Sequence, residues 1–277
     1  MNDRPATAGP QHDSPDRTTA GSAPVLSAPS PMARRVMSQA RYETLTMLRN
    51  GEQLLLLVIL PLIALIALTR MDLLDAVLPA GSSRVDYAVP GVLALSVISN
   101  AFSGQGIQTG FDRRYGVLRQ LSTTPLGRSG LIAGKLCAIL IVLLVQTLLI
   151  CGVALAMGWR VPWSGVPLAA VLLVLGAVAF TGLGLLVAGT LRAEATLAVV
   201  NLLWVLLAVA GGTLAPAGAL PEWIAPLVGL LPSAALSDGL RAVLVPASGL
   251  SPLGPVVLLT VWAVGAWAAT ARWFRWS

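Results

Sequence analysis

Histidine and cysteine are nearly absent from this chain of 277 residues, which contains one histidine and two cysteines. His12 lies near the N-terminus, so the rest of the chain offers no histidine for a metal site or a general base. Cys137 and Cys151 stand 14 positions apart in one expected helix, and a rise of roughly 21 Å is too wide for an intrachain disulfide. These absences argue against most enzymes, and we expect neither a catalytic residue, nor a metal, nor a cofactor bound by this chain.

Charged residues are scarce as well. Only 11% of the residues are charged, whereas soluble domains carry about 25%. The apolar share is 56% and the mean hydropathy is +0.81. A chain of this length cannot hide so much apolar surface in one core, so the lipid bilayer must cover much of it. The net charge of +6 does not indicate nucleic acid, because no basic stripe with interleaved aromatic residues lies outside the loops.

The N-terminal part of the chain divides into two segments of different composition. Residues 1–31 are rich in Pro, Ser, Thr and Ala without a large aliphatic cluster, which predicts a disordered cytoplasmic tail. Residues 32–50 lack Pro and Gly and mix apolar with basic residues. This pattern predicts an amphipathic interfacial helix, with which a membrane domain over 32–277 begins.

Six apolar segments follow, which are identified by the criterion that a helix needs roughly 20 apolar residues to cross a bilayer. They lie at about 54–69, 88–110, 132–157, 167–190, 195–215 and 253–271. The sequence therefore predicts an all-α membrane protein with six transmembrane helices.

The basic residues indicate the orientation of these six segments. With a cytoplasmic N-terminus, 14 of the 18 basic residues face the cytoplasm, and only Arg70, Arg84, Arg160 and Arg241 face outward. The positive-inside rule therefore predicts cytoplasmic N and C termini in a multi-pass protein of the cell (cytoplasmic) membrane.

An apolar stretch before the last span is interrupted by prolines. Five prolines cut residues 216–246 into pieces, which are too short to cross a bilayer. Ser233 is expected to N-cap a short helix that carries Asp238 and Arg241. We expect a re-entrant helical hairpin on the outer face, with Trp223 at the interface.

The cytoplasmic loop at 111–130, between the second and third spans, has the most informative pattern. From position 112 it reads Asp-Arg-Arg-Tyr-Gly-Val-Leu-Arg-Gln-Leu-Ser-Thr-Thr-Pro-Leu, which predicts a short amphipathic helix ended by the Ser-Thr-Thr-Pro run. One interpretation is a positively charged loop that only fixes topology. The other is a contact surface for a soluble partner, formed by Asp112, Arg113, Arg114, Gly116, Leu118, Leu121 and Pro125.

In its order of residues the loop resembles a known family. The loop contains, in order, acidic-Arg-x-x-Gly, Leu-x-x-Leu and Thr-Pro-Leu, and Gly134-Lys135 follows at the start of the next span. This order resembles that in the permeases of the ABC type-2 exporters, which include daunorubicin-type drug, polysaccharide and lipid exporters. The family also has an N-terminal amphipathic helix, six spans and an outer re-entrant hairpin, so the resemblance covers about residues 32–277. Arg114 departs from the pattern, because the family often has a second acid there.

The resemblance implies specific partners. It implies that the loop is a coupling helix seated in a cleft of a separate ABC ATPase, and that a dimer of such ATPases binds ATP and Mg. It also implies a second permease copy or a paralogue. The segment Gly130 to Leu136 looks like a phosphate-binding loop, but it has three residues instead of four between its glycines and Leu after Lys135. We therefore expect the energy to come from the partner.

Small and polar residues recur along one face of the second span. Interhelical hydrogen bonds are the first interpretation for these side chains, and contact with a transported substrate is the second. The substrate-path candidates are Ser96, Ser99, Asn100, Ser103 and, on the fifth span, Asn201.

The leading functional hypothesis is the permease subunit of an ATP-driven ABC exporter for an amphiphilic drug-like, lipid or polysaccharide substrate. A non-transporting ABC-linked sensor or scaffold permease is an alternative. An intramembrane enzyme is a further alternative, but it needs a nucleophile with a base, or two carboxylates, at membrane depth. The sequence has no such pair in its apolar segments.

Overall fold

The computed structural model describes residues 31–49, 51, 55–75, 78, 81–118, 127–209, 211–213 and 223–274. Every regular element in this part of the chain is helical, as expected where lipid leaves backbone hydrogen bonds to be made within the chain. Apart from Pro31, the tail expected at 1–31 lies outside the described residues.

The described helices are numbered in chain order. They are α1 Met32–Arg49, α2 Leu60–Arg70, α3 Arg84–Arg114, α4 Gly127–Ala156, α5 Val166–Thr190, α6 Ala193–Val209, α7 Ala225–Gly229, α8 Pro232–Leu244 and α9 Leu253–Trp273. A π-helical turn, Leu55–Ile59, leads into α2, and α3 contains a π-helical segment, Ile98–Gly104. The helix expected over 32–50 is thus present as α1.

Within the described residues, four helices are long and apolar enough to cross a bilayer. They are Arg84–Arg114, Ser129–Ala156, Trp163–Thr190 and Leu253–Trp273. Helices α2 and α6 coincide with the other two expected segments, but they have only 11 and 17 residues. The chain is therefore a multi-pass helical membrane protein, while the count of six spans remains a prediction.

Helix α3 lies at the centre of the bundle. The apolar window of α3 is 89% buried, whereas that of α9 is 22% buried. The helix begins at a capping box, in which the Asp86 N–H donates to Ser83 Oγ and the Ser83 N–H donates to Asp86 Oδ2, and this pairing satisfies free donors of the first turn. Farther along, Gly106 faces Gly184 on α5 and Val200 on α6, because its missing side chain permits close helix approach.

Helix α1 packs along α4 through one of its faces. The buried residues Ala40, Glu43, Thr44 and Met47 recur at three- and four-residue spacing, as on any amphipathic helix. Gly134 of α4 lies so close that an added Cβ would be 2.6 Å from Gln39 Cγ. The opposite face of α1 exposes large apolar side chains, which suits the bilayer interface.

The expected outer hairpin is described in part, because residues 214–222 lie outside the described residues. Helix α8 packs against α3, α5 and α9. The prediction that Ser233 caps this helix was wrong: the N-cap is Leu231, Pro232 is the first helical residue, and the buried Ser233 hydroxyl has no partner in the described part. Proline at the first helical position is preorganised for helix and lacks the N–H that a cap would satisfy.

Candidate functional site

The C-terminal end of α3 and the residues that follow form the candidate site. Arg113 donates from Nη1 to the Ala188 carbonyl at 2.8 Å and from Nη2 to the Leu191 carbonyl at 2.7 Å. These carbonyls belong to the C-terminal end of α5, where a cation satisfies free acceptors and meets the negative end of the helix dipole. Arg113 therefore ties the end of α3 to the end of α5.

Arg114 makes a second link, to α6. Its Nη1 forms an ion pair with Glu194 in the first turn of α6, where an acid is favoured by the helix dipole. Both side chains are half exposed or more, so we expect this pair to contribute at most about 1 kcal/mol. Arg114 is thus engaged within the chain, but weakly.

Asp112 belongs to a buried ionic cluster that joins three helices. Lys135 Nζ on α4 lies 3.0 Å from Asp112 Oδ2 on α3 and 3.1 Å from Glu43 Oε1 on α1. The Lys135 and Glu43 side chains are 3% and 5% exposed. Gln39 and Gln108 donate to the two oxygens of Glu43, at 3.0 and 2.9 Å. Such a pair is costly to break from one side, because a buried charge would be left unpaired.

The ionic cluster was missed by sequence reasoning. In the sequence, Glu43 is one charged residue of the segment 32–50 and Lys135 ends the Gly134-Lys135 pattern, and neither feature predicts that the two residues pair. One signal was present: Glu43 falls three residues after Ala40 and four before Met47, on the apolar face of α1. An acid on the buried face of a helix requires a partner.

The exposed tip of the site follows directly after α3. The residue exposures are 72% for Tyr115 and 37% for Val117. Gly116 between them has φ of +73°, a left-handed conformation that glycine adopts without strain. Tyr115 also stacks on Phe111, with ring centroids 6.2 Å apart. This tip is the part of the described loop that is free to meet a soluble protein.

Leu118 is placed differently from the expected contact surface. It is 2% exposed and packs with Leu131, Val36 and Phe274 inside the chain. A partner groove cannot reach this side chain in the present conformation, so its contact with an ATPase stays a prediction. Leu121 and Pro125 lie outside the described residues.

The substrate-path candidates of α3 are used mainly inside the protein. Ser96 is buried and donates to Val92 O at 2.8 Å. Ser99 accepts a hydrogen bond from Trp204 Nε1 of α6 at 2.9 Å, and Asn100 donates to Gln146 Oε1 of α4 at 3.4 Å. The first interpretation, interhelical hydrogen bonding, is thus confirmed for Ser99 and Asn100.

The two other substrate-path candidates are less buried. Ser103 is half-buried, and Asn201 is exposed on α6. Three of the α3 candidates, Ser99, Asn100 and Ser103, lie in the π-helical segment, which the sequence periodicity did not predict. Such segments are frequent at functional sites.

A second polar cluster lies near the N-terminal end of α3. The guanidinium of Arg241 on α8 donates to the Gly212 carbonyl at 2.7 Å and the Thr213 carbonyl at 2.9 Å, and it pairs with Asp238 at 3.0 Å. The Cζ atom of Arg241 lies 5.0 Å from the centroid of the Tyr87 ring. Arg241 is 1% exposed, so this cluster joins α8, α3 and the segment after α6.

A family model described as ABC-2 type transporter matches residues 34–245. The match spans both polar clusters and the exposed tip at Tyr115 to Val117. No curated protein matches the chain.

Proposed function

The chain belongs to the ABC-2 type transporter family, whose members are membrane components of ABC transporters, and on that premise we propose that it is the permease subunit of an ATP-driven exporter. In this proposal a dimer of separate ABC ATPases binds ATP and Mg, and the permease works with a second copy of itself or with a paralogue. The substrate is an amphiphile: a drug-like molecule, a lipid or a polysaccharide.

One observation carries the proposal: the most central helix of the bundle ends in an exposed tip, which the proposed topology places in the cytoplasm. Helix α3 runs from Arg84 to Arg114, and Tyr115 to Val117 follow it at the surface. Asp112 and Arg113 connect the same end to α1, α4 and α5. A force applied to the tip by a soluble partner would therefore reach four helices. We assign the ATPase contact to this tip.

The environment of Lys135 supports a separate source of energy. In a phosphate-binding loop, the lysine reaches the nucleotide phosphates. Here Lys135 is buried and lies within 3.1 Å of two carboxylates, which repel phosphate. Hydrolysis is accordingly assigned to the partner, and this chain is a transport component without catalytic residues of its own.

The proposed topology has six spans, cytoplasmic termini, a re-entrant outer hairpin and a location in the cell membrane. The short helices α2 and α6 count as spans in it, with thinned lipid or flanking residues making up their length. The basic end of α3, with Arg113 and Arg114, then lies on the cytoplasmic side, as the positive-inside rule requires.

The proposed substrate path lies between two permeases. A cavity of about 180 Å³ adjoins Lys135 and Leu118, but pockets for drug-sized ligands have volumes of about 300–1,000 Å³. A wider path requires a second wall, which another permease would supply.

The test is transport by inverted membrane vesicles that contain this chain and its cognate ABC ATPase. The probes are an anthracycline and a fluorescent phospholipid. We expect ATP-dependent uptake of at least one probe when both proteins are present, and none when the catalytic glutamate of the ATPase is replaced by glutamine. A complex that assembles, hydrolyses ATP and moves no amphiphile would favour the sensor or scaffold alternative. Chemical turnover of a lipid by the chain without ATPase would favour the enzyme.

A further inference from the structure

The cavity beside Lys135 lies where the C-terminal part of α3 meets α4, α5 and α9. Its volume is about 180 Å³. Apolar side chains form most of its walls, among them Leu131 of α4, Leu185 of α5 and Trp267 of α9. The cavity is smaller than the pockets that hold drug-sized ligands, so it is distinct from the proposed substrate path.

Four polar side chains line this cavity, and three of them have partners. Lys135 is bonded within the ionic cluster, while Trp267 and Thr270 donate to main-chain carbonyls of α5 at 3.0 and 2.9 Å. The fourth, Thr109 of α3, is 1% exposed, and its hydroxyl makes no hydrogen bond within the described residues. A buried hydroxyl without a partner is uncommon and costly. Thr109 therefore points to a hydrogen-bonding partner from outside the chain.

Water is poorly suited to fill this cavity. The volume is large enough for several water molecules, and each of them would need two to four polar partners. The walls offer only the Thr109 hydroxyl and at most one N–H of Lys135, which has three donors and already bonds two carboxylates. A molecule that is mostly apolar and has one polar group fits these walls better.

The charges around the cavity favour an uncharged ligand. Glu43 and Asp112 would repel an anion, and Lys135 would repel a cation. Either ion would also lose its hydration among apolar walls. As to size, an engineered protein cavity of about 150 Å³ binds benzene, so a single six-membered ring or a chain of similar volume fits here.

We propose that this cavity binds a small uncharged molecule with one hydroxyl group on a ring or chain of about benzene's size, that is, a phenol or an alcohol. The ligand hydroxyl bonds Thr109 Oγ1, and its apolar part contacts Leu131, Leu185 and Trp267. The ligand enters beside Ala271, which lines the cavity and is exposed on α9.

The first test compares the binding of para-fluorophenol and fluorobenzene, which differ only in the hydroxyl group, to the full chain in nanodiscs by fluorine NMR. Thr109→Val keeps the shape of the side chain and removes its hydroxyl. Thr181→Val is the matched control, because Thr181 is also buried with an unpartnered hydroxyl but does not line the cavity. We expect T109V to bind para-fluorophenol at least fivefold more weakly and fluorobenzene unchanged, whereas T181V binds both probes as the wild type does.

The second test blocks the entry. Ala271→Phe places a ring at the exposed edge of the cavity, and Ala268→Phe adds the same ring at an exposed position of α9 that does not line it. We expect A271F to bind both probes at least fivefold more weakly and A268F to bind them as the wild type does. Equal binding by A271F and A268F would overturn the placement of the ligand.

The stability of T109V keeps these results free of misfolding. Because the hydroxyl that it loses has no partner, T109V should unfold at the wild-type temperature or above it. If T109V binds para-fluorophenol as the wild type does, the occupant is apolar, such as the end of a lipid chain, and the proposal is overturned. The proposal is also overturned if the wild type binds neither probe saturably.

The site has one consequence that rests on the proposed function. Leu118 lines the cavity as well, two residues after Gly116, so a bound molecule lies against the segment that leads from the exposed tip. We expect saturating para-fluorophenol to change the ATPase affinity of the wild type at least threefold and that of T109V not at all. Binding through Thr109 without this change would overturn the link to the tip.

Failure of the site can be told apart from failure of the exporter assignment. If para-fluorophenol binds through Thr109 but the chain neither binds an ATPase nor transports, the exporter assignment fails and the site stands. If the wild type transports but binds no phenol saturably, the site is overturned and the exporter assignment stands.

Discussion

Lys135 Nζ lies 3.1 Å from Glu43 Oε1, with both side chains almost completely buried, so an ion pair holds α1 against α4. Lys135 bonds Asp112 at the end of α3 as well. Helices α1, α3 and α4 are thus joined through one lysine. Because buried charges resist separation, we expect the three helices to move as one body.

The first prediction concerns this cluster. Lys135→Met should lower the free energy of unfolding by ~3–5 kcal/mol, because Glu43 and Asp112 would remain buried without a counter-ion. The double variant Glu43→Gln with Lys135→Met should recover much of that loss, since it leaves one carboxylate instead of two. The measurement is unfolding in mixed micelles, with Arg34→Met on the exposed side of α1 as control. A double variant as unstable as K135M would contradict the pairing.

A second prediction follows from the backbone of the tip. Gly116 has φ of +73°, and an added Cβ would meet nothing within 4 Å. Gly116→Ala should therefore act through backbone strain alone, at about 1–2 kcal/mol, and should displace Tyr115 and Val117. We expect weaker ATPase binding with normal membrane abundance.

Gly152 on α4 is the matched control for that variant. It also has open space around it, but it lies in regular helix, where alanine is favoured over glycine. Gly152→Ala should bind ATPase as wild type does. Equal binding by both variants would show that the conformation of Gly116 does not matter for the contact.

The third prediction concerns the polar cluster around Arg241. Arg241→Met leaves the Thr213 carbonyl without its donor and leaves the Gly212 carbonyl with the Ser237 hydroxyl alone, at about 1–3 kcal/mol for each group that stays unsatisfied. Arg241→Lys should recover only part of the loss, because an ammonium lacks the planar fork that reaches several acceptors at once. Unfolding in mixed micelles measures both variants. Equal stability of R241K and wild type would contradict this role of the guanidinium.

The stability of R241M relative to the wild type should depend on pH. Burial raises the pKa of the Asp238 carboxyl, and the neighbouring Arg241 opposes that rise. Without the arginine the pKa of Asp238 rises further, and a group with a raised pKa in the folded state stabilises the fold more at low pH than at high pH. The stability difference between R241M and wild type should therefore shrink as the pH falls. A difference independent of pH would show that Asp238 is not coupled to Arg241.

The sequence predicted the helices well and their contacts poorly. Helices such as Val166–Thr190 and Leu253–Trp273 coincide with the expected segments, because apolar runs and their polar ends are local features. The cluster of Glu43, Asp112 and Lys135 joins positions up to 92 residues apart, and hydropathy carries no information on such pairing. The partners of Arg113 are main-chain carbonyls, which no side-chain pattern reveals.

The fourth prediction concerns topology. Reporter fusions at Ser82 and Ala247 should be external, and fusions at Thr124 and after Ser277 should be internal, because the basic residues are concentrated on one side. Enzymatic reporters that are active on only one side of the membrane make the measurement. An internal result at Ala247 would contradict the six-span arrangement and the outer hairpin.

The choice of residues for testing the ATPase contact depends on burial. Leu118 and Leu121 were the apolar residues expected to enter the partner, but Leu118 packs against Leu131 in the chain. Leu118→Asp would bury a carboxylate among aliphatic side chains and should lower the amount of folded protein. A loss of ATPase binding in that variant would therefore not distinguish contact from misfolding.

Tyr115 and Val117 avoid this ambiguity, and they carry the fifth prediction. Both are exposed, so aspartate at these positions removes little packing within the described chain beyond the stacking of Tyr115 on Phe111. Tyrosine is frequent among residues that dominate binding energy, with effects of 2 kcal/mol or more on truncation, and the added charges would have to be desolvated in the contact. Y115D/V117D should therefore lose at least about 30-fold in ATPase affinity at wild-type membrane abundance, whereas Y115F should bind normally. The measurement is titration of purified permease with the ATPase, and wild-type affinity of the double variant would leave the tip with the role of fixing topology alone.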